Sequence, residues 1–260
     1  MADTQPTTLP LPSPPIVSAS RGDARLIRRL IAAFEVAAVS GLPTQLLIGL
    51  TLALGGMPIF DGDGTGISLE FLATLILIDT AIMAILIRVF LSLSGETSKD
   101  VFLGVRPVRG EILRGLAVVP LALVGVTLAV LLLRTTMPWL HNVTVSPIEA
   151  YLRTPLDAAI FLVVAVLAGG VREELQRAFI LHRFGQHLGG LRIGLVLFSI
   201  AFGLFHYDQG FDVAIAIGLL GLLWGILYIR RRSVVMSMVS HAGFNATQVL
   251  WAVTARSMGL

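Results

Sequence analysis

Seven apolar runs, each of about the 20 residues that a helix needs to cross the hydrocarbon core of a bilayer, leave this chain few ways to fold. They fall at approximately 31–54, 69–91, 112–133, 156–181, 193–209, 212–229 and 234–254. Lipid offers no partner for backbone N–H and C=O groups, so spans of this length close their hydrogen bonds internally as helices. A chain that is 55% hydrophobic and 13% charged, with a mean hydropathy of +0.87, is also too apolar for a water-soluble domain. The sequence predicts an all-α, multi-pass transmembrane helix bundle of about seven spans, within a range of about six to eight. The range reflects the short fifth run, which only Asp208, Gln209, Gly210 and Asp212 separate from the sixth.

Charge sets the expected orientation. With the N-terminus cytoplasmic, one side carries Arg21, Arg25, Arg28 and Arg29, then Arg88, Lys99, Arg106, Arg109 and Arg114, then Arg183 and Arg192, then Arg230, Arg231 and Arg232. The opposite side has Arg134, Arg153 and Arg256. Such a bias is the positive-inside pattern, and it accounts for the isoelectric point near 9.9 through anionic lipid, with no nucleic-acid partner. Cysteine is absent, which removes disulfides, thiolate nucleophiles and Cys-ligated metal. Residues 1–25, rich in Pro, Thr and Ser, read as a disordered cytoplasmic tail without a signal peptide. Residues 26–260 read as one integral membrane domain, with a bacterial plasma membrane as the expected location.

Polar residues interrupt the later spans. Glu173 and Glu174 lie in the fourth, His206 in the fifth, and His241 and Asn245 in the seventh. Ionisable groups in hydrocarbon are costly, so they tend to face a bundle interior and to act there. At 1.5 Å per residue, Glu173 stands about 15 Å above Arg183, His206 about 21 Å above Arg192, and His241 and Asn245 about 13 and 20 Å above Arg232. Three helices thus bring polar groups to a shared depth. Glu173 and Arg177 are four apart and can pair, and His241 and Asn245 share a face by the same spacing. A carboxylate and an imidazole that activate water, opposite donors that hold an oxyanion, are what amide hydrolysis needs. Gly169, Gly170 and Gly243 would let helices approach closely around such a pocket.

These residues resemble a known family. Glu173-Glu174 followed by Arg177, then Phe202-Gly-Leu-Phe-His206, then His241-Ala-Gly-Phe-Asn245 are similar to the motifs of the CPBP family of CAAX-prenyl and bacteriocin-processing intramembrane proteases. Ser233, just after an arginine run, is similar to that family's lead into its last motif. The resemblance covers about residues 155–255. It implies an intramembrane endopeptidase in which Glu173 and His206 activate the attacking water, His241 and Asn245 stabilise the oxyanion, and Glu174 and Arg177 support the site. The family pattern places its arginine one residue later, where this chain has Ala178, so Arg172 is a second candidate for that role. The substrate implied is a membrane-associated peptide or protein, with the lipid bilayer as the other partner. No cofactor is favoured: zinc on Glu173, His206 and His241 is the alternative, but no HExxH is present and Asn245 suits an oxyanion donor better than a zinc ligand.

Blander readings stand beside these. A buried His or Asn in a membrane helix is often only an interhelical hydrogen-bonding group, and a non-catalytic scaffold or immunity protein on the same fold is the competing function. Asp79 and Glu35 show no sequence partner and read as structural. His182 and His187 read as interface markers, and Trp139, Trp224 and Trp251 as packing or interfacial anchors. Asp61-Gly-Asp63-Gly-Thr65-Gly66 reads as a polar turn, because Leu72 replaces the acid that a calcium loop requires.

Overall fold

The structure, a computed structural model, describes residues 21–62, 66–144 and 146–259. Helix α1 (Arg21–Val39) opens the described chain. It takes in Arg21 to Arg25, which the sequence assigned to the tail; Asp23 lies in its first turn, where an acid complements the helix dipole. The rest of that tail lies outside the described residues. Helix α2 (Leu42–Leu54) follows at a bend of 41°. The bend has a local cause. Gly41 sits at φ 88°, a left-handed conformation that glycine adopts without penalty, and Pro43 restarts the helix.

Helix α3 (Leu69–Leu93) starts where the Ser68 hydroxyl accepts from Phe71 N at 3.2 Å. Helix α4 (Val108–Thr136) is the longest, and its outer face exposes Leu113, Leu121, Val124 and Leu128. Helix α5 (Pro155–Ala165) has a capping box. Thr154 Oγ1 accepts from Asp157 N at 3.1 Å and Asp157 Oδ2 accepts from Thr154 N at 3.0 Å. After α5 the chain winds as a π-helix over Val166–Arg172 and returns to α-helix in α6 (Glu173–His187). Helices α7 (Leu191–Leu204), α8 (Phe211–Arg231) and α9 (Val235–Ser257) complete the bundle. α9 packs against α4 and the π-helical segment, and α7 against α8.

Every apolar run falls on a helix, but seven spans do not follow. Four stretches are long and apolar enough to cross a membrane: Leu69–Leu93, Val108–Thr136, Pro155–His187 and Phe211–Arg231. The bent α1–α2 pair makes five if it counts as one span. Helix α7 is a shorter apolar helix that ends at Leu204; the sequence extended it to 209, but Tyr207–Gln209 forms a 3-10 turn. Helix α9 is long enough, but is not among the apolar spans, because Ser237, Ser240, His241, Asn245, Thr247 and Gln248 dilute its hydropathy.

Buried charges are paired, as a low-dielectric interior requires. Arg172 binds Asp79 at 2.6 Å, and Asp79 also accepts from Thr44 at 2.5 Å and Gln45 at 3.1 Å. Glu35 pairs with Arg183, which also holds Glu96. These partners are far apart in sequence, which is why Asp79 and Glu35 looked unpaired there. Arg183, read as a marker of the cytoplasmic loop, is itself buried. Asp61 is held by Arg153 at 2.6 Å; Asp63 and Thr65 of the same turn lie outside the described residues.

Candidate active site

Glu173, His206, His241 and Asn245 line one cavity of about 340 Å3, together with Gly169, Phe202 and Trp224. Local backbone events place each of them. The π-helical turn ends at Arg172, so Glu173 is the first residue of α6. π-turns inside α-helices are frequent at functional sites. The sequence treated 156–181 as one uninterrupted helix, and nothing in its apolar periodicity marks the extra residue per turn.

The glycines in this segment face α9 so closely that no side chain fits. A Cβ on Gly169 would collide with Asn245 Nδ2 and lie 3.2 Å from His241 Nε2, and one on Gly170 would lie 2.5 Å from Ala242 Cβ. Gly243, on the other flank of α9, meets Val119 of α4, where a Cβ would lie 2.6 Å from Cγ2. The expectation that these three glycines allow close helix approach is met. Backbone contact brings Glu173 Oε2 to 3.8 Å from His241 Nε2.

His241 is held from three directions. Its Nδ1 lies 2.9 Å from Glu174 Oε1, and a carboxylate accepts, so Nδ1 carries the hydrogen. Its ring stacks on Trp224 with centroids 3.7 Å apart and planes at 16°, and Phe202 meets its edge at 6.0 Å. Trp224 is in turn anchored by a 3.2 Å hydrogen bond from Nε1 to Ser240 Oγ. Nε2 is left facing the cavity.

His206 stands just beyond α7, two residues past Leu204. Its Nδ1 is 2.8 Å from Phe202 O. A carbonyl only accepts, so Nδ1 donates, and Nε2 of the neutral ring is the free lone pair. Asn245 donates one amide hydrogen to Ala165 O at 3.0 Å, the carbonyl just before the π-helical turn, and keeps a second.

Two sequence readings need correction. Arg177 pairs with Glu174, three residues away, and not with Glu173. Its Nε and Nη2 carry no hydrogen bond among the described residues; the guanidinium lies over Phe202 at 4.9 Å, Phe198 at 5.0 Å and Trp224 at 5.6 Å, so ring faces replace polar partners. Arg172 does not substitute for it, because its guanidinium is committed to Asp79. The shifted arginine therefore acts on the carboxylate that orients His241.

Trp224 is the residue that sequence reading missed. It was grouped with Trp139 and Trp251 as packing or anchor, yet those two are exposed while Trp224 is fully buried against His241. Its position well inside a span, away from the interfaces where tryptophans anchor, was the available signal.

Among the described residues, no group of three or more His, Cys, Asp or Glu side chains is placed to hold a metal ion. Glu173, His206 and His241 share one cavity.

Comparison with known proteins gives no match among curated proteins and none among solved structures. Residues 155–247 match the family model described as type II CAAX prenyl endopeptidase Rce1-like. That segment contains Glu173, His206, His241 and Asn245, and the match supports the similarity of this part of the chain, an integral membrane protein with apolar spanning helices, to the CPBP family of intramembrane proteases.

Proposed function

We propose that the chain is a glutamate-dependent intramembrane endopeptidase that hydrolyses a membrane-associated peptide or protein without a metal. The observation that carries this reading is the single cavity that joins Glu173, His206, His241 and Asn245, with Glu173 Oε2 3.8 Å from His241 Nε2.

In this reading Glu173 and the His206 Nε2 lone pair accept hydrogen bonds from one water. Glu173 takes a proton as the water oxygen attacks the scissile carbonyl, a role that contributes about 10²- to 10⁴-fold for a positioned base. The free amide hydrogen of Asn245 meets the oxyanion. The proton on Glu173 passes to His241 Nε2, which then donates to the oxyanion and finally to the leaving amine. Atoms balance: water supplies the hydroxyl of the new carboxyl group and the proton of the new amine. The 3.8 Å separation tightens when substrate excludes bulk water. Glu174 and Arg177 keep the His241 ring in register.

The charge bias supports a cytoplasmic N-terminus. The test compares protein termini in membranes from cells that carry the native protein or Glu173→Gln at equal, folded expression. Termini found only with the native protein establish glutamate-dependent proteolysis and reveal the substrates. Identical termini with the cellular phenotype retained reject it in favour of a scaffold.

A further inference from the structure

The loops and helix ends of the bundle sort into two groups. At one end Arg153 holds Asp61 at 2.6 Å, Arg134 holds Asp212 at 2.7 Å, and Arg256 donates to Leu152 O at 2.6 Å. The connections before α3, α5 and α8 and the end of α9 therefore lie together. At the other end Arg106 donates to Arg231 O at 3.2 Å and Val234 N to Phe102 O at 2.8 Å, which joins the connections before α4 and α9. Among the described residues the first end carries no Lys or Arg besides those three arginines, all of them engaged, while Lys99, Arg106, Arg109, Arg192, Arg230 and Arg232 are exposed at the second.

The cavity that holds Glu173 reaches the arginine-poor end. Ile67, Asp208 and Gln248 line it and are exposed, and Ile148, Tyr151 and Gln209 line it half-buried. All six lie on the side of Glu173 that faces that end, and His206 stands in the connection there, just beyond α7. Towards the arginine-rich end the way is closed. Ala178, Leu181, Tyr228 and Val234 are buried in one core, and the Lys99–Leu103 π-helix covers it, with Tyr228 Oη donating to Val101 O at 3.2 Å. Side chains packed to this density leave no path for water or a peptide. A second cavity meets Glu173 from the side, between the α1–α2 elbow and α7, but its exposed wall of Leu42, Leu197 and Phe205 is apolar and suits lipid better than an aqueous entrance.

Lys and Arg accumulate on the cytoplasmic side of membrane proteins. We propose that the catalytic cavity opens away from the cytoplasm, and that its substrates are membrane-anchored peptides whose scissile bond lies just outside the membrane on the extracytoplasmic face. The inference rests on the endopeptidase reading above. The water that Glu173 activates enters by the same mouth.

The chain has no cysteine, so one introduced thiol reports one position. The experiment places Asp208→Cys or Gln248→Cys at the rim and Lys99→Cys at the opposite end of the full chain. Intact cells are treated with a bulky membrane-impermeant maleimide, and protein termini formed afterwards are compared with those of Glu173→Gln cells. Neither rim residue has a role in the proposed chemistry, and Glu173-dependent termini before labelling show that each variant is folded. The rim thiols are expected to react in intact cells, and Lys99→Cys only after permeabilisation. Labelling of either rim thiol is expected to abolish the Glu173-dependent termini, which in native cells lie on the extracytoplasmic side of their anchors. Rim thiols that react only after permeabilisation, with Lys99→Cys reacting in intact cells, reverse the orientation and overturn the proposal. Undiminished cleavage with both rim positions labelled overturns it as well, and in both cases termini that still depend on Glu173 leave the endopeptidase reading intact. Identical termini in native and Glu173→Gln cells overturn that reading and the substrate assignment with it.

Discussion

The Trp224 indole lies flat on the His241 imidazole, with ring centroids 3.7 Å apart. The stack fixes the ring plane, while the bond to Glu174 at Nδ1 fixes which nitrogen faces the cavity. A histidine restrained in both respects loses little orientation when substrate arrives.

Removing the stack should therefore affect rate more than affinity. Trp224→Phe keeps an aromatic face and loses only the bond to Ser240, so a fall in kcat of about tenfold is expected. Trp224→Ala leaves a cavity and costs about 3–5 kcal/mol of stability, with kcat falling by about 10²-fold, as when the orienting partner of a functional histidine is lost. Steady-state kinetics and melting temperatures check both; equal kcat in all three proteins would remove Trp224 from the site.

Gly169 tests the role of close backbone approach. Gly169→Ala drives a methyl group against Asn245 Nδ2 and His241 Nε2, so activity should fall by about 10²-fold, the cost of a displaced oxyanion donor. Gly125 of α4 has nothing within 4 Å of its added Cβ. Gly125→Ala should be neutral or stabilising by up to about 1 kcal/mol, which thermal melts and activity assays in parallel will show.

The Glu174–Arg177 pair is expected to behave as a unit. Arg177→Met alone leaves a buried carboxylate uncompensated and should cost about 3–5 kcal/mol, whereas Glu174→Leu with Arg177→Met should regain most of that loss. Activity should not return with stability, because His241 lacks its Nδ1 acceptor in the double variant. Denaturation and turnover measured on the single and double variants separate the two effects; recovery of activity in the double variant would assign Glu174 to packing alone.

Acid should loosen the end of the bundle where α3 meets α6. Burial raises the Glu96 carboxyl and is the largest influence on it, yet hydrogen bonds from Arg183, His182 and Gln186 together outweigh it and lower the pKa from 4.5 to about 2. A carboxylate depressed in the folded state adds stability above its unfolded pKa and loses it as pH falls through the folded one. The melting temperature should hold down to pH 4.5 and then drop towards about 2, and Glu96→Gln should flatten that part of the profile. Parallel native and variant profiles across this window would contradict the assignment.

Period, length and charge in the sequence are local properties, and they determined what local properties can: helices at every apolar run, a set of polar residues at a shared depth in the later ones, and a motif order that pointed to Glu173, His206, His241 and Asn245. What depends on contacts between segments distant in sequence had to wait for the fold. The π-helical turn before Glu173 carries no periodic signature. Arg177 chose Glu174 over the equally reachable Glu173, because the packing of Phe198, Phe202 and Trp224 decides where a guanidinium fits. Arg172 and Asp79, 93 residues apart, meet only when α3 packs on the π-helical segment. Hydropathy names the solvent of a segment, but the neighbour of a side chain is set by helices that touch, and that is why the cavity residues were legible one by one while the Trp224–His241–Glu174–Arg177 assembly was not.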